Sequence, residues 1–243
     1  MTPFWEMLKN IIPHFRAWEI IAEGQHTMAN IKDDIKRAQD SYDIQFSVHA
    51  PFSDLNLASL NPKIRKSSLE QVMEAIRISS ELEIEMVTIH PGHKSPLGAY
   101  FMDKFIATNK NSMKELDRAR GEYGITLALE NMPRMWISLC HDAEQIKESI
   151  EGTEIKICFD VGHANISNTI DDILELKKDF VNLHLHDNDG EKDWHLVLGQ
   201  GNIGYPDILK ELSGYSGLYV IESTNLEEGI RSKAILEGVL KGI

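Results

Sequence analysis

Short apolar or β-branched runs alternate with longer amphipathic stretches along the whole of this chain, and that alternation admits few folds. The runs are FRAWEIIAE (15–23), IQFSVHA (44–50), EMVTIHPG (85–92), ITLALEN (125–131), IKICFDVGH (155–163), VNLHLHD (181–187) and LYVIEST (218–224). Between them lie helical patterns, as in NPKIRKSSLEQVMEAIRISSELE, where Leu69, Val72, Ala75 and Ile76 keep a 3.6-residue period. Strand and helix in strict alternation predict a parallel sheet with helices outside it, doubly wound or closed as a barrel. Seven strand signals are present where a (β/α)8 TIM-type barrel needs eight, and the chain opens on a helix-like segment, PFWEMLKNII. The expected fold is therefore such a barrel lacking its first strand. The strands at 15–23 and 218–224 would then close directly or leave an edge for a partner chain, as in a homodimer. No Pro/Ser-rich linker or composition shift divides residues 1–243, so one domain is expected.

Composition narrows the function classes. The chain has 243 residues, 38 acidic against 25 basic, and a formal net charge of −13, which argues against a broad basic stripe for nucleic acid. No apolar run reaches the roughly 18 residues of a membrane span, and the N-terminus lacks a signal-peptide layout, so a cytoplasmic protein without membrane partners is expected. Two cysteines, Cys140 and Cys158, read as reduced core thiols.

The chemistry-bearing residues gather at the strand ends. Reading to the C-terminal end of each strand gives His49, His90, Glu130, Asp160 with His163, His184, and Glu222, while Asp193 and His195 follow the sixth strand. In parallel α/β folds those ends share the face on which active sites are built. Strand alternation pairs the end residues with small or polar ones two positions earlier: Ser47, Thr88, Ala128 and Cys158. A lone His or carboxylate at such a place is usually a hydrogen-bonded or capping residue. Here, however, five of the ten histidines and every strand from 44 to 224 contribute. Imidazoles with carboxylates and no thiolate suit zinc, manganese or iron(II). Four carboxylates exceed the need of one ion and point to a cluster of two or three, which would activate water and clamp the oxygens of a phosphoryl group.

Other candidates carry blander readings. His186 shares a face with His184 and reads as substrate-facing or supporting rather than as a ligand; His93 lies over the pocket or in solvent. Glu19 and Glu23 read as structural, His14 and His26 as surface residues, and the cluster Lys63, Arg65, Lys66 as a solvated helix face. Trp18, Trp136 and Trp194 read as packing residues.

The series SVHAPFSDLNLAS, TIHPGH, ALEN, FDVGHA, HLHD, DWHLVLGQGNIG and IESTN resembles, in order and over nearly the whole chain, the AP endonuclease family 2 / xylose isomerase-like TIM-barrel superfamily. Its endonuclease IV branch carries a trinuclear zinc site, and all nine ligand positions find matching residue types here. The resemblance implies one zinc on His49, His90 and Glu130, a second on Glu130, Asp160, His184 and Glu222, and a third on His163, Asp193 and His195. It implies a DNA-repair hydrolase acting at abasic sites, with Glu130 and Glu222 at the catalytic centre and Phe52, followed here by Ser53, in the place of the residues that wedge into DNA. His93 and His186 are the other expected substrate contacts. The superfamily's other large branch implies a sugar or sugar-phosphate isomerase or epimerase, using one divalent ion on Glu130, Asp160, His184 and Glu222, with a glutamate moving the proton through an enediol. A non-catalytic, metal-stabilised barrel is a third alternative.

Overall fold

The strands form at the β-branched or apolar runs; the middle strands are buried, as parallel strands under helices usually are, while β1 and β7 are partly exposed. In the computed structural model, which describes residues 2–243, these are β1 (Ala17–Ile21), β2 (Gln45–His49), β3 (Met86–Ile89), β4 (Thr126–Glu130), β5 (Lys156–Asp160), β6 (Phe180–Leu185) and β7 (Leu218–Ile221). The seven strands are the seven that the sequence predicts, each shorter than its run. The helices are α1 (Phe4–Ile11), α2 (Met28–Ser41), α3 (Pro62–Glu81), α4 (Pro96–Tyr100), α5 (Met102–Tyr123), α6 (Ala143–Ile150), α7 (Val161–Ser167), α8 (Ile170–Leu174), α9 (Tyr205–Glu211) and α10 (Leu226–Leu240). This strand–helix succession is that of a TIM barrel. Among the described residues no helix is long and apolar enough to cross a membrane.

Two compact units make up the chain. The first comprises Met1–Leu129 with Lys147–Lys156, the second Glu130–Ile146 with Ile157–Ile243. In the first unit β1, β2, β3 and β4 follow one another in parallel, with Glu19 opposite Ser47, His49 opposite Thr88, and Thr88 opposite Ala128. That register stacks the polar inward positions: Ser47 Oγ donates to Glu19 Oε2 at 2.9 Å. Trp18 lies on Phe4, ring centroids 5.2 Å apart, and so ties α1 to β1. The α3 helix starts where the Asn61 side chain accepts from Lys63 N at 3.0 Å with Pro62 at the first helical position. It buries Leu69, Val72, Ala75 and Ile76, the face that the periodicity marks. Arg65, expected on a solvated face, instead reaches α5, its Nε donating to Ser112 Oγ at 2.9 Å. The α5 helix stops at Gly124, whose φ of 65° is the left-handed cap that glycine adopts without penalty.

In the second unit β5, β6 and β7 are parallel neighbours, with Asp160 opposite His184 and Leu185 opposite Ile221. Phe159 and Phe180 stack at 4.9 Å beneath them. Cys140 and Cys158 are buried and unbridged. Two readings of the sequence are corrected here. His26, expected at the surface, is buried, whereas Trp136 and Trp194, expected to pack, are 57% and 48% exposed.

Candidate metal centre

Most of the candidate ligands belong to the second unit, and local chain geometry aims them. The strand signal 155–163 breaks at Asp160 because that residue ends β5 and caps α7, its Oδ1 accepting from His163 N at 2.6 Å. His163 therefore sits on the first turn of a helix rather than on a strand, and the three-residue spacing brings both groups over one strand end. Asn131 fixes them further. Its side chain accepts from Asp160 N and donates to Asp160 O, both at 2.8 Å, while its carbonyl lies 2.9 Å from His163 Nδ1. An Nδ1–H donated to that carbonyl leaves Nε2 of His163, 3.3 Å from Asp193 Oδ2, as the nitrogen that would give up its proton to take an ion.

His184 is buried on β6. The Asn182 amide lies 3.1 Å from its Nε2, and its Nδ1 lies 2.9 Å from Glu222 Oε1 and 3.5 Å from Glu130 Oε1. Glu222 follows β7, its backbone N–H held by Leu185 O at 3.0 Å. His195, at φ 48°, sets Nε2 3.4 Å from Asp193 Oδ2 and Nδ1 3.5 Å from Glu222 Oε2. The loop carrying it is held by Asp187, whose carboxylate accepts from Gly199 N at 2.7 Å, Asn188 N at 2.9 Å and Ile203 N at 3.3 Å. Gly201 is required there, since a Cβ would stand 2.1 Å from Asn188 O. Thus Glu130, Asp160, His184 and Glu222 form one donor group, and His163, Asp193 and His195 adjoin it through shared short separations.

Electrostatics follow from this crowding. Burial acts to lower the His163 pKa, but the Asp160, Asp193 and Glu130 carboxylates outweigh it and hold the imidazolium to about 10. Burial acts to raise Asp193, yet hydrogen bonds from His163 and His195 hold it well below the usual carboxylate range. Asp160 is likewise lowered against its own burial, by His163 and then His186.

The donor set fits divalent ions. Bonds of about 2.1 Å to nitrogen or oxygen place neighbouring donors about 3.0 Å apart in an octahedron and about 3.4 Å apart in a tetrahedron. The separations of 2.9, 3.3 and 3.4 Å for His184–Glu222, His163–Asp193 and His195–Asp193 fall in that range. Asp160 Oδ2 is moreover buried with no hydrogen-bond partner, a costly state that a cation would relieve.

In the first unit His49 ends β2 and His90 follows β3, their rings 4.7 Å apart at 84°. Phe52, 37% exposed, packs on both, at 5.0 Å from His49 and 4.6 Å from His90. Glu23 holds that loop, its Oε1 accepting from Phe52 N at 2.7 Å and Ser53 N at 2.5 Å. His93 is exposed, and its backbone pairs with Asn56. Sequence reasoning missed Asn131, Asn182 and Asp187. The polar residue directly after Glu130 and the Asp following HLH were the available signals.

The family model described as "Xylose isomerase-like TIM barrel" matches residues 14–238. An uncharacterised protein of Methanocaldococcus jannaschii is 35% identical, covering 96% of this chain and 84% of its own length. A probable endonuclease 4 of Aquifex aeolicus is 27% identical over 68% of this chain and 65% of its own. A crystal structure described as a D-tagatose 3-epimerase-like protein superposes with a TM-score of 0.89 at 36% identity, covering 93% and 89% of the two chains.

Proposed function

Since this chain belongs to the xylose isomerase-like TIM-barrel family, whose members are enzymes, we propose that it is a divalent-metal-dependent phosphodiester hydrolase acting at abasic sites in DNA. The observation that carries this reading is the second donor group. A single-ion sugar enzyme needs only Glu130, Asp160, His184 and Glu222, yet His163 and His195 lie beside that set with donor separations of 3.3 and 3.4 Å to Asp193. The resemblance to a probable endonuclease 4 points the same way.

Bound zinc ions would supply an acidified water and neutralise charge on a phosphate. The chain's own part is to hold and aim. Glu222 reaches both groups, with Oε1 2.9 Å from His184 Nδ1 and Oε2 3.5 Å from His195 Nδ1, and so would help to hold both imidazoles in place around bound ions. Glu130 Oε1 lies 3.5 Å from His184 Nδ1, where both could serve one ion, and 3.3 Å from the His163 Nδ1 that faces Asn131. Asn131 keeps the His163 lone pair on Nε2. In the first unit, Phe52 offers an exposed ring to fill the gap left by a missing base.

One observation favours a second reading, a sugar epimerase: the 36%-identical structure described as D-tagatose 3-epimerase-like. There Glu130 and Glu222, both beside His184, would move the proton next to a carbonyl. Metal counting on unchelated protein, together with incision of an abasic-site duplex, separates the two. Two or more ions per chain with incision lost in Glu130→Ala is the expected result. A fully loaded protein that leaves the duplex intact and epimerises a ketose would overturn the hydrolase.

A further inference from the structure

His186 is left over when the donors are assigned. It is 0% exposed, neither ring nitrogen makes a well-formed hydrogen bond, and it belongs to two donor groups, one with Asp160 and His163, the other with Asp193 and His195. An imidazole buried with nothing at Nδ1 and only long carboxylate contacts at Nε2 is incompletely satisfied, a state that a bound cation would relieve.

Its surroundings say what that is. Nε2 lies 3.3 Å from Asp160 Oδ1 and 3.4 Å from Asp193 Oδ1. Those separations match the edges of a coordination polyhedron with bonds of about 2.1 Å. Asp193 turns its other oxygen, Oδ2, to His163 and His195, so its two oxygens face two different positions. Stacking separates those positions further. The His186 and His195 rings lie parallel, 10° apart with centroids at 4.0 Å, and two imidazoles stacked face to face cannot both point in-plane lone pairs at one ion. The ring is also locked in place: a Cβ on Gly162 would stand 2.1 Å from His186 Cε1, so the helix that carries His163 closes over it only because that residue is glycine.

We propose that His186 is a metal ligand, its Nε2 holding a divalent cation of the zinc class together with Asp160 and Asp193, at a position additional to the sets containing His184 and His195. The inference rests on the metal-binding half of the proposed function and not on hydrolysis. A bound cation there would compensate the crowding of Asp160 and Asp193 and use both oxygens of Asp193.

The test is zinc loading of chelator-stripped protein, with ions counted per chain and affinities ranked by competition with a chromogenic chelator, for the native chain, His186→Asn and His186→Gln. The expected result is one fewer ion per chain in both variants, or one ion bound at least tenfold more weakly. Counts and affinities equal to native within twofold would overturn it. Should either variant fail to fold, nitrogen NMR of the native histidines during zinc titration decides: His186 Nε2 taking on the shift of a coordinated nitrogen supports the ligand, and a ring that stays doubly protonated at full loading overturns it. A variant that loses an ion in a protein that never cuts abasic DNA sinks the hydrolase and leaves this site standing; cutting with no change in ion count does the reverse.

Discussion

At the level of single residues the candidate metal centre is a problem of aiming imidazoles. The His163 tautomer depends on the Asn131 carbonyl and the placing of Asp160 on the Asn131 side chain. Asn131→Ala leaves that backbone carbonyl in place but removes both side-chain bonds to Asp160, and should weaken zinc binding about 10- to 100-fold, the usual cost of losing an outer partner of a ligand, as read by chelator competition. Gly162→Ala should act through His186, whose ring must give way to the new methyl, lowering both metal affinity and thermal stability. Glu23 is a residue whose effect reads in pH. Burial acts to raise its pKa, but the backbone N–H groups of Ser53 and Phe52 outweigh it and lower the value. A lowered folded value means that the stabilisation is present above the unfolded pKa of about 4.3 and is lost as pH falls through the folded one. Native protein should lose stability below about pH 4 by more than Glu23→Gln does, measured as Tm against pH; parallel curves would remove Glu23 from the account.

At the scale of elements, stability lies in caps and buried faces that the sequence announces. Asn61→Ala removes the acceptor at the start of α3 and should cost about 1 kcal/mol. Ile76→Ala on the same helix, at a fully buried position, should cost about 2–5 kcal/mol in denaturant unfolding. The ratio of the two costs is itself a check: a cap that cost more than the core residue would mean that α3 is held by its end and not by its face. Arg65 shows how an element-level reading can mislead, for a helix-start cation became an interhelical contact once α5 packed alongside.

For the molecule as a whole, a bound metal would be thermodynamically linked to the fold. An ion present at about a hundred times its dissociation constant adds roughly 2.7 kcal/mol per site, and 1 kcal/mol shifts Tm by about 2–4 °C in a chain of this size. Chelation should thus lower Tm by about 5–11 °C for each site emptied, and an unchanged Tm would mean that the donors fold equally well without ions. The charge of −13 belongs to this scale too. Four of those charges, on Glu130, Asp160, Asp193 and Glu222, sit where divalent ions would offset them, so overall acidity is a weak argument against an anionic substrate.

Periodicity by itself determined the seven strands, their parallel sense and the strand ends at which His49, His90, Glu130, Asp160, His184 and Glu222 stand, because hydrophobic period and strand direction are local properties. It could not determine that Asp160 would end its strand by capping a helix, since the same residue serves equally well as the last of a strand. Nor could it find Asn131, Asn182 or Asp187, because a buried asparagine or aspartate has no period and reveals its role only by what packs against it. His186 is the clearest case. Alternation in HLHD places it on the face of His184, but only packing against Gly162, Asp160, Asp193 and His195 surrounds its ring and leaves it no well-formed hydrogen bond. That is a long-range property of the folded chain.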